Sequence, residues 1–600
     1  MVVFAVALAT SVTSLRNGFV FDDVQVIALN PALHSLDSLP HALAGPYWSA
    51  AVRDRLYRPA TSASFVVDWA VGRGSPLPFH LTNVALHLLV VGLVLALGGL
   101  VLGRGAVVAA FWFAVHPVHV EVFANAVGRS ELLAAFGYLG ATLAYVAEGR
   151  AALQAPGGAR RALWAVLVLV AAALAFGAKE HALSLPAALL LADVWTASRD
   201  GEGVRTAFRR HAILWLGVVA LAAGYLAVRT HVLGTTFGGG AVGAGLFGLT
   251  PLQRTVVMLP VVLVWARLLV IPLHLSADYS PAVLPAGTAF SAVHAAGILL
   301  VLAVLVAAWR LRRRSPGLGF GVAWFALTVA VGANIVFPTG VLFGERLLCL
   351  PSVGAALAVG ALWEMLPAHR AVWPLTAAAL VLLGARTLER VPVWRTPERF
   401  FAARAHDAPD SYRTLWQKGG WAFEHGDART GERELLAAAR IWPYDGELLE
   451  EIGGRYFAAG LYGPADRWST AAYGLDSTRS AAAALAIVSR MREGRADSAA
   501  ALATAALRRA PESEVIALAA IAALNGHGEP RLALAVARRF TYLHPRDAAH
   551  QLLAADAAMR SGLCDEARTR FERALALAGG DEARAEIRRR SAAATCGSRR

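Results

Sequence analysis

Charge is scarce in this sequence of 600 residues. Asp, Glu, Lys and Arg make up 16% of it, against about 25% in ordinary soluble domains. Lysine is nearly missing: only Lys179 and Lys418 stand among 56 basic side chains. The three cysteines, Cys349, Cys564 and Cys596, show no CxxC spacing, so neither a disulfide framework nor a cysteine metal site is implied. No phosphate-cradling P-loop is present, since the Gly-rich GTTFGGG at 234–240 lacks the GK[ST] that one requires. Hydrocarbon takes the place of charge. The chain is 57% hydrophobic with a mean hydropathy of +0.51, the composition of a membrane protein long enough for more than one domain. The net charge of +14 comes from dispersed arginine. No basic patch alternates with aromatic residues, so no nucleic-acid partner is expected.

Up to about residue 388 the chain is a succession of apolar stretches. The first, MVVFAVALATSV, is followed by no A-x-A cleavage site, which predicts a first transmembrane helix, short against the usual length of about 20 residues. Further stretches cover 82–103, 105–123, 131–147, 162–178, 182–195, 211–229, 253–272, 289–309, 317–337, 346–366 and 371–387. The Arg-rich loops at 149–161, 205–211 and 310–314 should face the cytoplasm. Threading them from an inner N-terminus works for the first two. It works for the third only if 253–272 does not fully span. That leaves eleven crossings and places both the loop after the first helix and the C-terminal part outside. In a bacterium, which the arginine and alanine bias suggests, outside means the periplasm. In a eukaryote it means the endoplasmic-reticulum lumen.

From Tyr412 a period of 34 takes over, in five units: 412–445, 446–479, 480–513, 514–547 and 548–581. Gly recurs at the fifteenth position of all five, as Gly426, Gly460, Gly494, Gly528 and Gly562. Gly allows a left-handed turn between two helices. Small Ala residues at the twentieth and twenty-seventh positions let the helices approach. Pro443, Pro511 and Pro545 close the second helix of their units. This pattern resembles tetratricopeptide repeats, which stack into a solenoid with a concave face for an extended peptide or a partner. A solvated helical spacer is the other reading.

Ionisable groups at membrane depth are expensive and therefore informative. The first cluster is Asp22 and Asp23, in NGFVFDD. Arg58 lies in YRPATSASF. His80, Asn83 and His87 share a helix face in FHLTNVALHLL. HPVHVE holds His116, His119 and Glu121, and VGRSE holds Arg129 and Glu131. AKEHALS contains Lys179, Glu180 and His181. SADYS contains Asp278 and Tyr279, and GERLLCLPS contains Glu345 and Arg346. In the threading above every one of these clusters falls at the external face, as the walls of one site would. The acids suit proton transfer or a metal; Lys and Arg suit an anion. Against this, Glu345–Arg346 and Arg129–Glu131 are also plausible structural pairs, and His80 and His87 plausible core histidines. Pro117 breaks the regular helix that a zinc motif would need, so no metal site is assigned, although a divalent ion stays open as an alternative.

Taken in order, NGFVFDD, NPAL, YRPATSASF, FHLTNVALHLL, FAVHPVHVEVFANAVGRSELLAA, AKEHALSLPAALLLAD, LSADYS, FPTGVLFGERLLCLPS, VPVWR and the repeats resemble the transmembrane-and-tetratricopeptide-repeat O-mannosyltransferases and their bacterial relatives. The resemblance covers nearly the whole chain. It implies an all-α fold: a polytopic GT-C-type glycosyltransferase domain over 1–388, a linker over 389–411, five repeats over 412–581, and a capping helix and tail over 582–600. It also implies an integral-membrane enzyme that takes a sugar, mannose by family, from a polyprenyl-phosphate carrier. The acceptor would be a protein hydroxyl met through the repeats, or an envelope lipid or polysaccharide; a non-catalytic scaffold is the remaining alternative. Carried onto this sequence, Asp22, Asp23 and Glu121 would be catalytic. Arg129, Lys179 and Arg346 would hold the donor phosphate. Arg58, His80, His116, His119, Glu180, Asp278, Tyr279 and Glu345 would line the site. Adjacent residues point in different directions, so only one of Asp22 and Asp23 is expected to touch the acceptor. Cys349–Leu350, where an aromatic is expected, departs from the pattern.

Overall fold

A computed structural model of the chain describes residues 1–49, 56–154, 158–236, 242–284, 287–335, 338–367 and 371–593. Parts of two stretches singled out above, the Arg-rich loop at 149–161 and the Gly-rich run at 234–250, lie outside these residues, as do Cys596 and the end of the tail. The described residues are mostly α-helix, with no strand among them. They form two compact units, 1–414 and 415–600.

In the first unit, seven described helices are long and apolar enough to cross a membrane: Leu77–Val101, Ala126–Gln154, Ala159–Ala178, Ala212–Leu233, Pro251–Val270, Ala292–Leu311 and Val372–Trp394. The pair Gly105–Val115 and Pro117–Ala124, bent by 50° at the break between them, would make an eighth as one broken span and is otherwise a re-entrant loop. Two shorter apolar helices, Val2–Arg16 and Pro316–Gly332, fall on further stretches read as spans. The runs 182–195 and 346–366 give helices Leu185–Asp200 and Pro351–Glu364, about 24 and 21 Å long at 1.5 Å per residue, short of a hydrocarbon core of about 30 Å. The run 253–272, expected not to span fully, is among the seven that are long and apolar enough to do so. It forms a continuous helix of 20 residues with Pro260 inside it, so parity no longer fixes which side the later segments occupy. Many outward side chains on these helices are apolar, among them Ile213, Leu299 and Leu382, each more than 60% exposed. Such a surface suits lipid.

The helices Arg129–Gln154 and Ala159–Ala178 are pinned at both ends. Glu131 pairs with Lys179 at one end, and Glu148 pairs with Arg161 at 2.6 Å at the other. The helices therefore run antiparallel. The 17 residues from Glu131 to Glu148 rise about 25 Å, close to the thickness of a hydrocarbon core. Two polar layers, one at each end, replace the expected single layer.

Residues 389–411, read from the sequence as a linker, are instead helical and packed into the first unit. The helix Pro397–Asp407 is capped by Thr396, and Arg390 pairs with Asp407 at 2.6 Å. Phe400 is fully buried and stacks on Phe21 with ring centroids 5.0 Å apart. The amide of Gly18 donates to the Arg395 carbonyl at 3.0 Å. This segment is the buttress of the loop that carries Asp22. Phe400→Ala would leave a cavity in that seam, and we expect it to destabilise the unit by about 3 kcal/mol or more. Thermal unfolding in lipid measures this, and an unchanged midpoint would show that the loop stands without its buttress.

The second unit is a run of helix pairs, from Gly446–Ala458 with Tyr462–Leu475 through Ala548–Arg560 with Cys564–Leu577, followed by Asp581–Ala593. The turn glycines Gly460, Gly494, Gly528 and Gly562 all have φ between 75° and 89°, a region costly for any residue with a Cβ. Ala465, Ala499, Ala533 and Ala567 are fully buried where paired helices meet.

Candidate active site

The chain enters the site after the helix Val2–Ser11. Phe21 takes a left-handed conformation, φ 58°, unusual for an aromatic residue and a feature that concentrates at functional sites. One turn of π-helix, Val24–Ala28, follows the acidic pair, another such feature. The loop is stitched to the turn at 124–127. Asn17 donates to the Ala124 carbonyl at 2.9 Å, and Asn83 donates to the Asn125 carbonyl at 2.9 Å. In that turn, a Cβ on Gly128 would lie 2.2 Å from the Val122 carbonyl oxygen, so only glycine lets the chain fold back and begin the helix at Arg129.

The two adjacent acids divide their work. Asp23 is fully buried. It accepts from the amides of Val127 at 2.8 Å and of Ala126 and Val20 at 3.3 Å each, and so locks the loop onto the 126–128 turn. Asp22 keeps 20% of its side chain open and lies 3.4 Å from Nη1 of Arg346. The same Nη1 donates to Glu121 Oε1 at 3.0 Å, and the Arg346 amide donates to Glu121 Oε2 at 3.0 Å.

Burial pushes the Asp23 carboxyl up to about 7, against the pull of its three amide donors. It titrates near 3.8 when free. Between those values the folded state holds a proton that the unfolded state has lost, so stability falls as pH rises from about 4 to 7 and is level above. Glu345, raised by burial to about 7, acts in the same sense. We expect a lower unfolding midpoint at pH 8 than at pH 5, and a smaller difference in Asp23→Asn. An identical pH slope in that variant would remove Asp23 as a contributor.

A second group of charges neighbours the first. Lys179 ends the helix Ala159–Ala178 and donates to Glu131, with His181 Nδ1 3.7 Å from the same carboxylate. Burial lowers the Lys179 ammonium, Glu131 opposes this, and Arg58 and Arg346 push it lower still. Three cations therefore share one neighbourhood. Arg58 pairs with Glu180 at 3.0 Å and lies over the Tyr47 ring at 5.0 Å. Glu180 also meets Arg229 at 3.4 Å. Burial works against its charge, but Arg58 and Arg229 outweigh it and hold the carboxyl low. Arg229 is missing from the residues drawn from sequence, though an arginine inside the apolar run 211–229 was a signal for it.

Other expected residues are enclosed. Arg129 is fully buried and occupied by Asp68 at 2.5 Å, Asn83 at 2.9 Å and the Phe79 carbonyl at 2.7 Å, which leaves its guanidinium facing protein. His116 contacts the Leu269 carbonyl at 3.2 Å and accepts from the Val118 amide. His119 bridges the Phe113 carbonyl and Ser352, each at 2.8 Å. The imidazoles of HPVHVE thus serve separate partners, and no group of three His, Cys, Asp or Glu side chains suited to a metal occurs among the described residues. His80 is buried. Asp278 accepts from the Ser280 amide at 3.0 Å and from Ser411. Glu345 accepts from Tyr279 and from the Ser276 amide, both at 2.6 Å. Asp22, Glu121, Glu131 and Glu180 with Arg58, Lys179 and Arg346 are what the fold brings together.

No protein-family model matches the chain. Among curated proteins it is similar to Protein O-mannosyl-transferase F38B6.6 of Caenorhabditis elegans, 22% identical over 74% of this chain and 62% of that protein. It is 25% identical to Protein O-mannosyl-transferase TMTC3 of Mus musculus over 76% of this chain and 52% of that one. It is also 25% identical to TMTC4 of Homo sapiens over 68% of this chain and 62% of that one. The chain thus spans between half and two thirds of the length of these relatives. Among solved structures, the crystal structure of MamA protein overlaps 30% of this chain and 96% of its own, at 18% identity and a TM-score of 0.27. An overlap at that score carries no argument, and the solenoid is read from its own helix pairs. In its candidate membrane helices and its repeats the chain is similar to the TMTC proteins.

Proposed function

We propose that this chain is an integral-membrane glycosyltransferase that moves mannose from a polyprenyl-phosphate carrier to a protein hydroxyl at the external membrane face. One observation carries the reading. Of the two adjacent carboxylates, Asp22 alone stays open to water, and it does so on Arg346, whose electrostatic neighbours include Glu121 and Arg58.

In the step envisaged, Asp22 takes the proton of the acceptor hydroxyl. The acceptor oxygen bonds the anomeric carbon as the bond from that carbon to the phosphate oxygen breaks. The electron pair remains on the phosphate, whose charge rises from one to two negative units. Arg346, Lys179 and Arg58 are the groups that would meet that developing charge. Such a leaving group needs no nucleotide-binding loop. Asp23 and Arg129 position the loop and the turn beneath it. The repeats would present the acceptor.

The test uses purified protein in lipid, radiolabelled polyprenyl-phosphate mannose and an unstructured Ser/Thr-rich peptide, with and without EDTA. Label on the peptide supports the reading. Loss of that label in a chain ending at Thr414, the limit of the first unit, would make the repeats an acceptor platform. Label in lipid alone would redirect the acceptor to an envelope component. If a panel of lipid-linked sugars gave neither transfer nor binding, a membrane-anchored scaffold would replace the enzyme.

A further inference from the structure

The polar layer at the far end of the bundle has no part in the chemistry above. Its centre is His211, 3% exposed, with Nδ1 3.0 Å from Asp193 Oδ1 and Nε2 3.1 Å from Glu148 Oε2. Tyr145 donates to the other Asp193 oxygen at 2.7 Å and accepts from Trp215 at 2.9 Å. Arg161 closes the group on Glu148 at 2.6 Å.

A cavity of about 120 Å³ opens directly on this cluster. One part of its wall is apolar, with Val146, Leu153 and Phe320 among its members; Leu153 is 60% exposed. The rim carries Arg150 and Arg199, both exposed. Arg150 makes no hydrogen bond or ion pair among the described residues, and Arg199 has a single one, to the Leu100 carbonyl at 2.8 Å. Arg210 also lines the cavity but is held by Glu202. Asp200 is the acid on the rim. An apolar wall and two guanidiniums with open donors form a receptor for an anion with a hydrocarbon tail.

We propose that this cavity binds the phosphate group of an anionic membrane lipid, in the leaflet opposite the Asp22 site. Arg150 and Arg199 would hold the phosphate oxygens, and the apolar wall would take the first carbons of a chain. Basic pockets between membrane helices recognise lipid headgroups in this way.

The test uses the full chain in detergent, with lipid retention followed by native mass spectrometry and by the fluorescence of Trp195, which lines the cavity. The probes are phosphatidylglycerol, phosphatidylcholine and inorganic phosphate. Saturable binding of one phosphatidylglycerol is expected, tighter than that of phosphatidylcholine. The double variant R150A/R199A should weaken it about thirtyfold, each arginine near the surface contributing roughly a factor of five. Both side chains are exposed, so the fold should persist, and thermal unfolding checks this. Arg205→Ala, at another exposed arginine of the 205–211 stretch, should change nothing. An equal loss in Arg205→Ala would reduce the effect to general surface charge and overturn the site. Binding of inorganic phosphate without the lipid would overturn the lipid assignment in favour of a soluble anion.

Discussion

In the Asp22→Asn variant, transfer is expected to fall by about a thousandfold, with folding close to wild type and donor affinity undiminished. A positioned general base contributes about 10² to 10⁴ in rate, and among the described residues no neighbouring acid is placed to replace this one. Asp23 faces three amides and no solvent. Glu121 is tied to Arg346 by side chain and backbone. The amide of an asparagine at 22 can still meet the acceptor but takes up no proton, so kcat should fall with no rise in KM for the lipid donor. Asp23→Asn should behave in the opposite way. Its remaining carbonyl oxygen can keep the Val127 amide, so transfer should fall less than tenfold while the unfolding midpoint drops. These two variants, one residue apart, separate the chemistry from the scaffold. Wild-type transfer in Asp22→Asn would remove the base from this loop altogether.

The sequence made the acidic pair visible but not its division of labour. Both residues follow the same apolar run, and only the turn at 126–128, a hundred residues away, shows which one is enclosed. Arg129 was misleading for a related reason. It stands beside Glu131 in VGRSE, yet its counter-charge is Asp68, in a helix with no sequence tie to that motif. The far polar layer is hidden in the sequence because Glu148, Asp193 and His211 stand apart in the chain, each within or beside a long apolar stretch. Spacing betrays a cluster only when its members share one element, as His80, Asn83 and His87 do. The repeats were legible because their information is local. A left-handed turn needs glycine and a close helix pair needs alanine, and both needs recur every 34 residues. The span count was less legible, since hydropathy does not show where Pro117 bends a helix or where Pro351 starts a short one.

Arg346 gives the second large effect, and its variants report on a different stage of the reaction. One nitrogen of its guanidinium serves Glu121 at 3.0 Å and Asp22 at 3.4 Å. The bond to Glu121 is backed by the Arg346 amide. The bond to Asp22 joins two partly open groups and is the weaker tie. A lipid-linked phosphate arriving beside Arg346 and Lys179 would compete for that guanidinium, and the longer contact should yield first. Asp22 would then lose its counter-charge as the donor takes its place and be left free to meet the acceptor hydroxyl. On this account Arg346→Ala should lower kcat by about 10² to 10³, the usual effect of removing one group that stabilises developing charge. It should raise KM for the donor as well, which Asp22→Asn should not. Arg346→Lys keeps the charge but not the planar fork, so it should recover donor binding better than rate. A raised KM with wild-type kcat in Arg346→Ala would mean that the arginine holds the donor equally in the ground and transition states. The coupling of donor arrival to Asp22 would then have no physical basis.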